Sequence, residues 1–285
     1  MTLPLTRRRF NSLLFSWHAV ARRPLLIRTA VTPWEVLVAE VMSQQTGIER
    51  VGPTWRRFVD RWPTPARLAE AGTHELLATW AGLGYNRRAL ALRAAARAIV
   101  EEREGRVPAT VAELEALPGV GPYTARAVAA AAFGVPVAPL DVNVRRVVSR
   151  VLGVAASSPG LQADADGLVS RAKPGRWFEA VMDLAVRRCR PRAPLCDECP
   201  LALLCVSSGT VVAVERTGGD VPFSSTNRWL RGRLVATVTG APDGGWTVLP
   251  ERLGVHDRDA IRVAAAGLER EGFLEVHDVE VRVRQ

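Results

Sequence analysis

Leu117-Pro118-Gly119-Val120-Gly121-Pro122-Tyr123-Thr124-Ala125 joins two helical stretches of the chain. Glycines at i and i+2 permit a tight hairpin with positive φ and let a phosphate come close, because no Cβ stands in the way. Pro122 follows at once and suits a first helical position. The amides at such a helix start face outward and form a ready anion site. A short G-x-G fits an ordinary helix–helix turn equally well. The longer string, set before an alanine-rich helix, is much more specific.

Outward from this turn, residues 1–206 read as mostly helical. Apolar residues recur at helical spacing over Trp34 to Gln45, Leu68 to Trp80, Arg88 to Glu102 and Tyr123 to Phe133. Gly47, Pro53, Pro63-Thr64-Pro65, Gly82, Gly84, Gly105 and Pro108 read as stops between them. Beyond Cys205 the composition changes. Residues 207–225, rich in Ser, Thr, Gly and Val, read as a linker. From Asn227 the pattern is helix, short apolar segment, helix (Asp257 to Glu271), then two strand-like runs, Phe273 to Val276 and Val279 to Val283. Residues 226–285 therefore resemble a small α+β, winged-helix-like module.

The chain has 4 cysteines, Cys189, Cys196, Cys199 and Cys205, spaced C-x6-C-x2-C-x5-C. Four thiols brought together by short loops read as one tetrahedral metal site, and the spacing alone suits zinc or an iron–sulfur cluster about equally. Arg187, Arg188, Arg190 and Arg192 crowd the first cysteine, as suits a metal-pinned loop pressed against phosphate.

With 285 residues and 48% hydrophobic composition, the chain can bury a sizeable core. Its net charge of +9 favours a polyanionic partner, although Lys173 is the only lysine and the arginine excess also reflects composition bias. The longest apolar run, Ala127 to Leu140, is broken by Gly134, Pro136 and Pro139, so no membrane span and no membrane partner are expected. Clustered free thiols fit a reducing cytoplasm.

Two carboxylates stand out. Asp141, in Pro139-Leu140-Asp141-Val142-Asn143, precedes a helix-like stretch and by itself reads as an N-cap. Glu40 lies in a largely apolar helix. Burial there would raise its pKa and let it act as a general acid near neutral pH; a structural partner or a solvated face is the plainer reading.

Together these motifs resemble the endonuclease III and adenine glycosylase family of DNA glycosylases, the helix-hairpin-helix-GPD superfamily. The resemblance runs from about Trp34 to Cys205 and is carried by the LPGVG hairpin, the loop ending in Asp141, the Glu40 segment, Gly82-Leu83-Gly84-Tyr85 and the four cysteines. It implies a mostly α, two-lobed fold. Residues 29–137 would form a six-helix barrel lobe with the hairpin, and residues 1–28 with 138–206 an iron–sulfur cluster lobe. It implies a [4Fe-4S] cluster on Cys189, Cys196, Cys199 and Cys205, and double-stranded DNA with a mismatched or lesion-paired base as partner. Leu117, Gly119, Val120, Gly121, Arg190 and Arg192 would contact DNA, and Gln45 with Tyr85 would wedge into the duplex beside the lesion. Asp141 would stabilise the oxocarbenium-like sugar as the base leaves. Glu40 would protonate adenine at N7, and Asn143 would hold the catalytic water. Tyr123 stands where bifunctional relatives carry a Schiff-base lysine, so hydrolysis without strand cleavage is expected. A cytoplasmic, nucleoid-associated monomer is the family-like expectation.

Two departures bear on the substrate. The family's Leu-Pro-Trp-Arg segment reads Leu25-Leu26-Ile27-Arg28 here, so Ile27 replaces a Trp of the base pocket beside Arg28. The tail after the cysteines is too short for the usual Nudix-like domain that reads 8-oxoguanine. The resemblance thus implies a monofunctional glycosylase for adenine opposite 8-oxoguanine or guanine. A glycosylase for T or U opposite G, or for hypoxanthine, is a second reading, and a non-catalytic DNA-binding iron–sulfur protein a third.

Overall fold

The computed structural model describes residues 5–210, 221–241 and 245–284. It is mostly helical, and among the described residues no helix is long and apolar enough to cross a membrane. The chain divides into two compact units.

The first unit comprises the chain up to residue 40 and the described residues from 107 to 210. It contains α1 (Arg7–Ala21), most of α2 (Pro33–Ser43), α7 (Val111–Glu115), α8 (Pro122–Phe133), α9 (Val142–Leu152), α10 (Leu161–Leu168) and α11 (Pro174–Arg187). α11 is the central helix, packed against α1, α8 and α9. The reason is its apolar stripe: Trp177, Ala180, Val181, Leu184 and Ala185 recur at helical spacing and are buried. α9 answers with Val144, Val147, Val148 and Val151. Phe10 of α1 sits 6.3 Å from Trp177, ring centroid to ring centroid. Leu201 and Leu204 bring the cysteine segment into the same core. The hairpin and the cysteines therefore lie in one compact unit, whereas the expected lobes would separate them at residue 137. The cause is α8, which packs against both α7 and α11.

The second unit comprises residues 41–106 and the described residues from 221 on. It contains α3 (Ile48–Arg61), α4 (Pro65–Ala69), α5 (Thr73–Trp80), α6 (Arg87–Arg103), α12 (Asn227–Thr239) and α13 (Arg258–Arg270). Strands β1 (Thr247–Val248), β2 (Leu274–His277) and β3 (Glu280–Val283) form an antiparallel sheet in the order β1-β3-β2. Phe58 is the aromatic centre, 4.7 Å from Trp62 and 5.9 Å from Trp80.

Three local expectations change. The single helix over Leu68 to Trp80 is two helices, because Gly72 interrupts and becomes the N-cap of α5. Pro53 lies inside α3 rather than ending it. Burial of Val51, Trp55, Phe58 and Val59, at roughly 1.5–3 kcal/mol each, outweighs the ~3 kcal/mol cost of an internal proline. The tail carries three strands instead of two, since Thr247 and Val248 pair with Val281 and Glu280. Nor is it a separate module: α12 packs against α5 as well as against α13 and β3. Of the expected linker, residues 211–220 lie outside the described residues.

Candidate active site

The hairpin folds as its glycines require. Gly119 adopts φ 76°, open to glycine without strain, and Gly121 is the N-cap of α8 with Pro122 in the first turn. Leu117 and Val120 turn their side chains inward and are buried, and the Val120 amide closes the turn on the Leu117 carbonyl at 3.1 Å. Their part in the hairpin is to shape it. Gly119 and Gly121 form its exposed rim, and a Cβ added at Gly121 would meet nothing.

Asp141 is the N-cap of α9. Its Oδ1 accepts from the Asn143 and Val144 amides at 2.9 and 2.7 Å, and its Oδ2 accepts from Asn143 Nδ2 at 2.8 Å. The carboxylate is thus aimed by three donors and held at the positive end of a helix. The loop before it is pinned by Asp166 of α10, which accepts from the Ala138 amide at 2.7 Å and from Arg126.

Glu40 lies in the last turns of α2 between Ala39 and Val41, both buried. It keeps some accessible surface, yet protein atoms surround its carboxyl densely. Burial, and after it the nearby charge of Asp141, push its pKa up to about 7. Tyr123, in the first turn of α8, feels both carboxylates, and burial raises its hydroxyl well above the ordinary tyrosine value. Its ring meets Phe178 edge-on at 6.2 Å. Glu40, Tyr123 and Asp141 therefore share one electrostatic neighbourhood. One carboxyl there is pushed toward the neutral form, and the other is capped by amides.

Arg146 is a member of this site that sequence reasoning did not assign. Its Nη1 donates to Asn143 Oδ1 at 3.1 Å, its Nε to the Cys189 carbonyl at 2.8 Å and its Nη2 to the Ala185 carbonyl at 3.1 Å. A continuous path, Asp141–Asn143–Arg146–Cys189, joins the carboxylate to the cysteine segment. The available signal was its position three residues beyond Asn143, on the same helix face. One turn on, Arg150 binds the carbonyls of Arg190 and Pro191 and approaches Cys189 Sγ at 3.5 Å. The Arg190 and Arg192 side chains are exposed.

Cys189, Cys196, Cys199 and Cys205 line one cavity with Arg150, Leu195 and Ala202. Burial pushes the Cys199 thiol up to about 11, and the other three thiols add to the rise. A single zinc ion needs its sulfurs within about 2.3 Å of one point. Among the described residues no such group closes around an ion. Four thiols lining a shared space are a donor set that either zinc or an iron–sulfur cluster takes.

Arg28 is not available to a base. Its guanidinium donates to both oxygens of buried Asp183, at 2.9 and 3.0 Å, and to the Arg23 and Glu179 carbonyls. His18 and Arg23 bind the same carboxylate. The expectation that Arg28 lines a pocket gives way to a clamp that fixes the segment after α1. Ile27 is half-buried beside it. Burial alone would raise the Asp183 carboxyl, but the hydrogen bonds of His18, Arg28 and Arg23 reverse this and hold it well below the usual carboxylate range. Asp183→Asn is expected to cost about 3–5 kcal/mol at neutral pH, since it removes the buried carboxylate that Arg23 and Arg28 bind. In denaturant melts the deficit should shrink as pH falls from about 4 through the depressed value, where wild type loses the same charge.

In the second unit, Gln45 and Tyr85 are two of the four described non-glycine residues with positive φ, at 52° and 49°. Arg88 explains both. Its buried guanidinium donates to the carbonyls of Val41, Met42 and Gln44 in one turn and to Leu83 and Gly84 in the other. It also binds Thr46 Oγ1 at 2.9 Å. Burial lowers its pKa to about 10, which leaves it cationic at neutral pH. Strained backbone of this kind persists only where surrounding structure over-determines it. Sequence reasoning singled out Gln45 and Tyr85 but not the arginine that ties their two turns together.

Residues 38–166 match the family described as HhH-GPD superfamily base excision DNA repair protein. The chain is 39% identical over 227 residues to an adenine DNA glycosylase of Mycolicibacterium smegmatis, covering 78% of each chain. Among solved structures, a thermostable thymine-DNA glycosylase is similar with TM-score 0.67 and 28% identity, covering 72% of this chain and 97% of the other. A non-covalent endonuclease III–DNA complex is similar with TM-score 0.61 and 25% identity, covering 72% and 98%.

Proposed function

The chain belongs to the HhH-GPD superfamily of base excision DNA repair proteins, and we propose that it removes adenine mispaired with 8-oxoguanine or guanine by hydrolysis. It binds DNA and is a DNA glycosylase of base excision repair. The observation that carries the finer reading is the pair of unequal carboxyls, Glu40 pushed up to about 7 and Asp141 held by amides at a helix start. A carboxyl pushed toward its neutral form is suited to donate a proton, beside one that amides hold in place.

Protonated Glu40 gives its proton to adenine as the bond from the sugar C1′ to the base breaks, and the base takes the bonding electrons. Asp141 faces the positive charge that develops on the sugar. Water then adds to C1′, and its proton returns to Glu40. Asn143, fixed between Asp141 and Arg146, is placed to orient that water. Tyr123 offers no amine, and Lys173, the only lysine, is an exposed residue at the N-cap of α11, so no β-elimination follows. Cys189, Cys196, Cys199 and Cys205 would hold a [4Fe-4S] cluster, a delocalised charge that pins the loop of Arg190 and Arg192. The reading includes a monomer acting on the chromosome in the cytoplasm.

The second reading, excision of T or U opposite G, is favoured by the likeness to the thymine-DNA glycosylase structure and by Ile27 in place of Trp. Single-turnover base release on A:8-oxoguanine, A:G, A:C, T:G, U:G and hypoxanthine:T duplexes separates the two. Adenine release, with strand breaks only after hot alkali, is expected. Release of T, U or hypoxanthine alone would overturn the adenine reading, and breaks before alkali would overturn the hydrolytic one.

A further inference from the structure

Two guanidiniums of its own unit lie close to the Tyr85 ring. Arg88 lies 5.5 Å from the ring centroid, held by the turn carbonyls. Arg228, in the first turn of α12, lies 4.1 Å over the ring and donates through Nη1 to the phenol oxygen at 2.5 Å. Arg228 also lies 5.3 Å from the ring of Phe223, a residue that is 57% exposed. Among the described residues Arg228 pairs with no carboxylate, whereas its neighbours Arg87 and Arg231 share Glu271.

The fold has little need of this contact. Leu230, Leu234, Val235 and Val238 seat α12 by burial. A surface cation–π pair adds little to that. The positive φ at Tyr85 commits the main chain and leaves the side-chain torsions open. A ring that must enter a base stack gains from being ordered beforehand, because the ordering cost is then not incurred on binding. An unpaired cation stacked on that ring supplies the order without a carboxylate to repel the duplex.

We propose that Arg228 is a positioning residue for Tyr85, through which the C-terminal segment acts on the distorted duplex. The inference rests on the reading of Tyr85 as the residue that enters the duplex.

A double-mutant cycle in the full chain tests it, with single-turnover excision on an A:G duplex and the fluorescence of a 2-aminopurine placed beside the mismatch. Tyr85→Leu should slow excision by about 10- to 100-fold and blunt the fluorescence rise, as expected for losing one stacking side chain. Arg228→Ala should do the same by about 3- to 10-fold with unchanged thermal melting, and the double variant should fall within about 2-fold of Tyr85→Leu. Arg228→Lys, which keeps charge but loses the planar stack, should resemble Arg228→Ala. Multiplicative losses in the double variant, full activity of Arg228→Lys, or a harmless Arg228→Ala beside a harmful Tyr85→Leu would each overturn the inference alone. A harmless Tyr85→Leu would overturn the wedge reading and this inference with it.

Discussion

Glu40→Gln should lower single-turnover adenine release by about 10³-fold or more, within the range set by losing a general acid, while duplex affinity is kept. The substitution preserves size and one acceptor and removes only the transferable proton. Because the carboxyl titrates at about 7, the wild-type rate should be highest below that pH. Above it the rate should fall roughly tenfold per pH unit, since the acid must be protonated to donate. The same substitution should raise stability. A carboxyl whose folded pKa lies above its unfolded value opposes folding once pH exceeds the unfolded value, and the cost levels off above the folded one. Thermal melts should show Glu40→Gln more stable than wild type by up to about 3 kcal/mol at pH 8, with no gain near pH 4. Retained excision would overturn the acid role, and a loss accompanied by unfolding would show that Glu40 is structural.

Asp141→Asn should cost about 10²- to 10³-fold in the same assay with nearly unchanged melting. Asparagine caps helices about as well as aspartate, so the bonds from the Val144 and Asn143 amides can survive. What disappears is the negative charge facing the sugar, together with the second acceptor oxygen that holds Asn143 Nδ2. Asp141→Ala should add a stability loss of about 1 kcal/mol from the missing cap. Comparison of the two variants separates cap from charge. If Asn retains full activity and only Ala is impaired, the residue is a cap and the charge has no part in the reaction.

Legibility in the sequence follows the range of the interactions. The hairpin, the cap at Asp141 and the helix after each are built from contacts within a few residues. Glycine spacing, a short polar side chain and apolar periodicity record them directly. The clustering of the cysteines was legible for the same reason, their loops being short. Where local rules failed, as at Pro53, burial of a distant-facing stripe outweighed the backbone cost.

The long arginines were not legible, because their partners lie far along the chain. Arg28 reads as part of a pocket motif until Asp183 is found to hold it. Arg88 looks like any surface arginine of a helix, yet it is the buried tie between two turns. Arg146 joins Asn143 to Cys189 across segments that share no local pattern. Residue types and spacing by themselves determined the helical architecture, the hairpin and the four-thiol group, and singled out the two carboxylates for a test. Tertiary structure decided which carboxyl is pushed toward neutrality, which arginines are structural and where the tail packs. Those outcomes depend on burial and on the charges brought nearby, and neither exists until the chain has folded.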